Sequence, residues 1–172
     1  VACIQTNSGS DVTANLATAI DLARQASAAG ADLIALPETV NIMAPDRAFL
    51  KANIQPEEGN QALLAFADLA RETGAWVLIG SILVDVPGSE KMANRSLLLD
   101  ADGAVRARYD KVHMFDVNLG GAETHRESNH YNAGGESVLA ETPWAPLGMT
   151  ICYDLRFAYL YRALAQAGAA MI

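Results

Sequence analysis

Cys152 lies where a predicted strand meets a predicted helix, a position that favours nucleophilic chemistry. It follows the apolar residues 147–151 and precedes a predicted helix over residues 155–166. Helix-terminal N–H groups and the positive end of a helix dipole favour a thiolate, so we expect a pKa below the usual value of about 8.5. The N–H of Tyr153 is then placed to meet an oxyanion, as in the nucleophile elbow of serine hydrolases. A buried structural cysteine is the alternative interpretation.

Glu38 and Lys111 lie at the ends of two other predicted strands. Glu38 follows the apolar residues 32–36 and Pro37, and Lys111 closely follows the predicted strand 104–109. Ligand sites in α/β proteins form at the carboxyl ends of strands, where a partly buried carboxylate can act as a general base. A lysine in such a position can stabilise an oxyanion as a fixed cation. The alternative for each residue is an ordinary solvated charge.

The elements that must position these residues alternate between strands and helices. The patterns predict strands over residues 1–5, 32–36, 76–84, 94–99, 104–109, 137–141 and 147–151, and helices over residues 11–29, 46–53, 60–73 and 155–166. Residues 111–136 are predicted to form a long polar loop, and loops of that length are usually functional. The order predicts a mixed sheet covered by helices, in the α/β class and as one domain over residues 1–172.

The composition excludes several classes of protein. The 172 residues are 51% hydrophobic and 19% charged, which is typical of a globular domain. A net charge of -8 without a basic run argues against a nucleic-acid partner. Apolar runs stay shorter than the roughly 18 residues of a membrane span, so no membrane partner is expected. Two cysteines and no visible signal peptide favour the cytoplasm, and Cys3, in the predicted first strand, is expected to be inert.

Three segments resemble the signature blocks of the nitrilase, or carbon–nitrogen hydrolase, superfamily. They are Leu36-Pro37-Glu38, Tyr109-Asp110-Lys111-Val112-His113 and Ile151-Cys152-Tyr153-Asp154-Leu155-Arg156-Phe157, in the family's order. The resemblance implies a four-layer α-β-β-α sandwich that usually forms a homodimer. Because residues 169–172 resemble the start of a further strand, we expect the natural protein to continue past Ile172 with the missing C-terminal part. Ala158-Tyr159 replaces the family's usual Pro-Glu, a departure that affects the pocket rim and not the nucleophile.

The resemblance also implies a role for each site residue. Cys152 is the nucleophile, Glu38 the base and Lys111 the oxyanion partner, and Glu127 matches a second glutamate in the loop after the lysine. Glu123 is the alternative to Glu127. The implied reaction cleaves a small amide through a cysteine thioester and needs no metal or organic cofactor.

Within the family, the loop over residues 116–131 and the Cys152 block are most similar to the branch containing deaminated-glutathione amidase and omega-amidase. That branch acts on side-chain amides of small linear keto acids, so the implied substrate carries a carboxylate. Arg126 and Arg156 are the candidate carboxylate clamps, because a guanidinium binds a carboxylate in two-pronged fashion. The alternative for Arg156 is a structural ion pair with Asp154 or another acidic residue. An N-acyltransferase with the same nucleophile, or an inactive truncated chain that acts in assembly, are the alternative functions.

A metal site is the other interpretation of the polar loop. His113, His125 and His130, with Glu123 and Glu127, are separated by eleven and then four residues between histidines, which matches no compact ligand motif. We therefore expect no metal.

Overall fold

The computed structural model describes residues 1–118, 120 and 124–172. The strands are β1 Ala2–Cys3, β2 Leu33–Ala35, β3 Trp76–Asp85, β4 Met92–Leu99, β5 Val105–Asp110, β6 Asp116–Asn118, β7 Thr124–Arg126, β8 Val138–Ala140 and β9 Leu147–Met149. The α-helices are α1 Val12–Ala28, α2 Arg47–Asn53, α3 Gln61–Thr73 and α4 Ala158–Gln166. Two 3-10 turns cover Glu127–Asn129 and Cys152–Arg156.

A mixed five-stranded sheet positions Glu38 and Lys111. Its order is β1-β2-β3-β4-β5, with β1, β2 and β3 parallel and β3, β4 and β5 antiparallel. Strands β8 and β9 form a second, antiparallel sheet, to which Met171 adds a parallel bridge at Leu147. Glu38 follows the end of β2, Lys111 follows β5, and Cys152 follows β9, so all three lie at strand ends.

Two cores separate the layers. Helices α1 and α3 pack on one face of the large sheet, where Phe66 and Leu69 contact the strands through residues such as Ile79. The opposite face meets the small sheet through Leu98 and Met149. Helix α4 covers the outer face of the small sheet. The expected four-layer α-β-β-α arrangement is therefore confirmed.

Local signals account for the helix boundaries. The Asp11 carboxylate accepts the Ala14 N–H at 3.0 Å and caps α1, and the Asn60 side chain caps α3 in the same way. Gly74 ends α3 with a left-handed φ of 68°, a conformation that glycine adopts without steric cost. In the described part of the chain, none of the helices has the length and apolarity needed to cross a bilayer.

Three sequence predictions need correction. The first strand is only two residues long, and the loop over residues 111–136 contains a polar hairpin of β6 and β7. The helix predicted over residues 155–166 is a 3-10 turn followed by α4, because Phe157 has the non-helical angles φ -110° and ψ 85°. Three-residue polar strands lack the apolar alternation by which a strand is recognised in sequence.

Candidate active site

Glu38, Lys111 and Cys152 meet in one cavity of about 450 Å³, which Glu127 and Arg126 also line. These residues come from different strand ends and from the polar hairpin region. The structure thus brings together the three residues that the sequence placed at strand ends, with the second glutamate beside them.

Lys111 is the buried centre of the cluster, with 2% of its surface exposed. Its Nζ lies 2.9 Å from Oε1 of Glu127 and 3.1 Å from Oε1 of Glu38. Burial lowers the pKa of the ammonium, but the hydrogen bonds and charges of the two glutamates outweigh that effect and raise the pKa above its usual value. Lys111 is therefore a fixed cation at neutral pH, held between two carboxylates.

The segment that contains Glu38 packs against a bulge in β3. The register of β3 with β4 shifts between Ile79 and Ile82, and Ser81 in this bulge accepts the Thr39 N–H through its hydroxyl at 2.8 Å. Thr39 has a φ of 50°, which a residue with a branched side chain rarely adopts. Local strain next to Glu38 is thus held in place by tertiary hydrogen bonds.

Gly80 makes this packing sterically possible. A Cβ at Gly80 would lie 2.0 Å from the carbonyl oxygen of Leu36 and 2.7 Å from the carbonyl of Pro37. Only glycine therefore allows the backbone before Glu38 to approach β3 this closely.

We expect Gly80→Ala to lower the free energy of unfolding by about 1–3 kcal/mol and to reduce turnover, because the methyl group displaces the Glu38 segment. Urea unfolding together with an activity assay measures both effects. Gly9→Ala is the matched control, since a Cβ at Gly9 meets nothing within 4 Å. A Gly80→Ala protein with wild-type stability would contradict this account of the bulge.

A buried aspartate braces the turn that begins with Cys152. Asp154 is fully buried and accepts hydrogen bonds from the Ile151 N–H at 2.9 Å, the Tyr109 hydroxyl at 2.7 Å and the His113 N–H at 2.9 Å. Cys152 itself has a φ of 48°, outside the range usual for a cysteine. A strained residue held between a strand and a turn is the geometry of a nucleophile elbow.

The expectation of a lowered Cys152 pKa is wrong. Cys152 keeps an exposed surface, but partial desolvation of its thiol and the negative charge of Glu38 raise its pKa, and the charge of Lys111 offsets this only in part. The physical reason is that Cys152 opens a five-residue 3-10 turn and not the α-helix on which the expectation rested. The thiol is therefore protonated at neutral pH and needs a base to activate it.

Glu127 is fixed on both of its carboxylate oxygens. Oε1 accepts from Lys111, and Oε2 accepts the Phe115 N–H. The neighbouring Ser128 is held by Asp116, whose carboxylate accepts the Ser128 N–H at 3.0 Å. Glu127 thus lies beside Lys111 in the cavity, and its role as the second glutamate of the site stays a prediction. Glu123, the alternative, lies outside the described residues.

The two arginine candidates lie in different places. Both arginines are exposed, but Arg126 lines the cavity and Arg156 does not. The alternative ion pair of Arg156 with Asp154 is not formed among the described residues, because the Asp154 carboxylate binds other donors.

The Tyr153 N–H has no backbone acceptor in the described part of the chain and is free to donate to a bound group.

Asn94 and Tyr131 are polar lining residues that the sequence did not point to. Asn94 donates from Nδ2 to Oε1 of Glu38 at 2.8 Å, and Tyr131 lines the cavity near Glu127. Asn94 is followed by Arg95 and Ser96 in the same strand, so the sequence carries no signal that singles it out. Across residues 1–118, 120 and 124–172, no three His, Cys, Asp or Glu side chains are grouped to hold a metal.

Comparison with known proteins shows the family to which this chain belongs. The profile of the family described as "Carbon-nitrogen hydrolase" matches residues 1–172, so the chain belongs to the carbon–nitrogen hydrolase family. The chain is 34% identical to the deaminated glutathione amidase of Yersinia enterocolitica and 32% identical to the human omega-amidase NIT2. It is matched over its whole length in both cases and spans 60% and 61% of those proteins.

The solved structure of the C. elegans NitFhit protein has the same fold. It superposes with a TM-score of 0.86 at 27% identity, over 97% of this chain and 41% of that chain. The resemblance of the chain to this superfamily, and to the branch that contains the two amidases, is confirmed.

Proposed function

We propose that the protein hydrolyses a small linear amide that carries a carboxylate, through a thioester on Cys152, with release of ammonia or an amine. The observation that carries the proposal is the meeting of Cys152, Glu38 and Lys111 in one cavity, with Glu127 bound to the lysine. The relatives named as amidases support the same chemistry. Because the chain spans about 60% of those relatives, the activity of the whole protein is part of the proposal.

The first half of the reaction forms the thioester. Glu38 takes the Cys152 proton, and the thiolate attacks the amide carbon. The oxyanion that forms meets the Lys111 ammonium and the Tyr153 N–H, which stabilise charge that is absent from the ground state. Glu38 then gives its proton to the leaving nitrogen as the C–N bond breaks.

The second half regenerates the enzyme with water. Glu38 takes a proton from a water molecule, whose oxygen attacks the thioester carbon, and a second oxyanion forms against Lys111. Collapse of this intermediate breaks the C–S bond and returns the proton to Cys152. Glu127 keeps the Lys111 ammonium oriented through both halves.

The charges of the cavity set the direction in which the substrate binds. The two glutamates and one lysine of the cluster sum to a net negative charge, which disfavours a carboxylate next to Cys152. Arg126 offers the opposite charge on the same cavity. We therefore propose that the amide points toward Cys152 and the carboxylate toward Arg126, with no clamp from the exposed Arg156.

We expect an omega-amide with a free carboxylate to exceed its methyl ester at least about tenfold in kcat/KM, or about 1.4 kcal/mol. Ammonia release from the matched pair measures this preference. Arg126→Gln should remove most of it, and Arg156→Gln is the control that should keep it. An ester as good as the acid would refute the carboxylate clamp and the proposed substrate class.

We expect Glu127→Gln to lower kcat by about 10²-fold or more, because the Lys111 ammonium loses the charge that orients it. Glu123→Gln should change kcat little. Steady-state assays of the two variants side by side test the assignment of the loop. Equal losses in both variants would show that Glu127 is not the glutamate of the site.

The alternative functions make different predictions for the same assays. An N-acyltransferase would convert the amide faster when an amine acceptor is added and would form the new amide as its product. An inactive chain acting in assembly would release no ammonia from any amide. A homodimer and a cytoplasmic location also stay predictions, and analytical ultracentrifugation tests the first of them.

A further inference from the structure

We propose that Asn94 is a positioning residue. It holds Glu38 and Lys111 in the relative positions that proton transfer from Cys152 requires. The proposal rests on the proposed function and adds a residue to it. Asn94 lies on β4, between the strand ends that carry the base and the cation, and only 2% of its surface is exposed.

The first observation is that Asn94 contacts both partners. Its Nδ2 donates to Oε1 of Glu38 at 2.8 Å, and its backbone carbonyl accepts the Lys111 N–H at 3.0 Å. Asn94 thereby links two residues that are 73 positions apart in the chain. One rigid strand position therefore determines the distance between base and cation.

The second observation concerns the two oxygens of Glu38. Oε1 accepts from both Asn94 and Lys111, so it has two donors, while Glu38 lines the same cavity as the Cys152 thiol. With Oε1 occupied, Oε2 is the oxygen left to accept the thiol proton. Asn94 thus selects which oxygen of the base acts.

The third observation is an unpaired atom. Oδ1 of Asn94 is buried and has no hydrogen-bond partner among the described residues. A buried acceptor without a donor destabilises a fold, so the amide is poorly explained as a stabilising group. The amide is instead explained by its Nδ2 group, which donates the hydrogen bond that the Glu38 carboxylate requires.

Two variants of Asn94 distinguish the effect of losing its hydrogen-bond donor from the effect of changing its size. Asn94→Asp keeps the size and replaces the donor by an acceptor, and Asn94→Leu removes both polar atoms. We expect each to lower kcat at least about tenfold with KM within about threefold, because the substrate still binds but the base is displaced. Ser96→Ala is the matched control, since Ser96 is buried on the same strand and donates to the Ile79 carbonyl at 2.9 Å. It should lower stability and keep kcat.

A second measurement needs no turnover. The rate of Cys152 alkylation by iodoacetamide as a function of pH gives the midpoint of thiol ionisation. In Asn94→Leu the midpoint should move to lower pH, because the charge of Glu38 is no longer held beside the thiol. In Ser96→Ala it should stay in place.

The outcomes distinguish this proposal from the proposed function. Wild-type kcat in Asn94→Asp, or an unmoved alkylation midpoint in Asn94→Leu, would overturn the role of Asn94 while leaving amide hydrolysis intact. A wild-type protein that releases no ammonia would count against the proposed function, and the alkylation midpoint would still decide the role of Asn94.

Discussion

Replacing Cys152 by alanine is expected to lower kcat on the order of 10⁶-fold, as the loss of a covalent nucleophile does in other hydrolases. Without the sulfur no thioester forms, and neither Glu38 nor Lys111 can substitute for it. The free energy of unfolding should change by only about 1–2 kcal/mol, because one small group is removed. Turnover measured beside urea unfolding separates loss of chemistry from loss of fold.

Cys3→Ala is the control for this experiment and should keep full activity. The inertness of Cys3 stays a prediction that labelling must test, because Cys3 is exposed on β1, the edge strand of the large sheet. Labelling experiments on Cys152 therefore belong in the Cys3→Ala background. A kcat close to that of the wild type in Cys152→Ala, with Cys3 also replaced, would end the proposed mechanism.

Replacing Lys111 by methionine should have the second largest effect, on both activity and stability. Loss of one oxyanion donor costs about 2.7–4 kcal/mol of transition-state stabilisation, so kcat should fall about 10²- to 10³-fold. The same change leaves two carboxylates facing each other without their cation. Breaking a buried pair in this way destabilises a protein by about 3–5 kcal/mol, and the part-exposed Glu38 side chain places the expected loss at the lower end.

A double variant tests the two effects of Lys111 separately. Adding Glu127→Gln to Lys111→Met removes one of the unpaired charges, so stability should recover in part while kcat stays low. Chemical unfolding and steady-state kinetics on the three variants give the comparison. A Lys111→Met protein as stable and as active as the wild type would contradict both proposed roles of Lys111, as the oxyanion donor and as the cation between two carboxylates.

The sequence predicts those parts of the fold and the site that depend on neighbours in the chain. Apolar runs ending at a polar residue place Glu38, Lys111 and Cys152 at strand ends. Side-chain caps such as Asp11 mark where helices begin. These signals act within a few residues, which is why they are visible without a structure.

The rest depends on contacts between distant segments. The hydrogen bond of Asn94 to Glu38 spans 56 positions, and the close approach of Gly80 to Leu36 depends on how two strands pack. The pKa of Cys152 was predicted in the wrong direction for the same reason. A local helix suggested a thiolate, whereas the partial desolvation of the thiol and the charge of Glu38, which the fold brings beside it, raise the pKa.

The thioester on Cys152 can be detected by mass spectrometry of the protein quenched during turnover of an omega-amide. We expect a mass increase equal to the acyl group on the peptide that contains Cys152, absent from Cys152→Ala and absent from the peptide that contains Cys3. Release of ammonia at the full rate with no acyl group on Cys152, even under rapid quenching, would contradict the thioester mechanism.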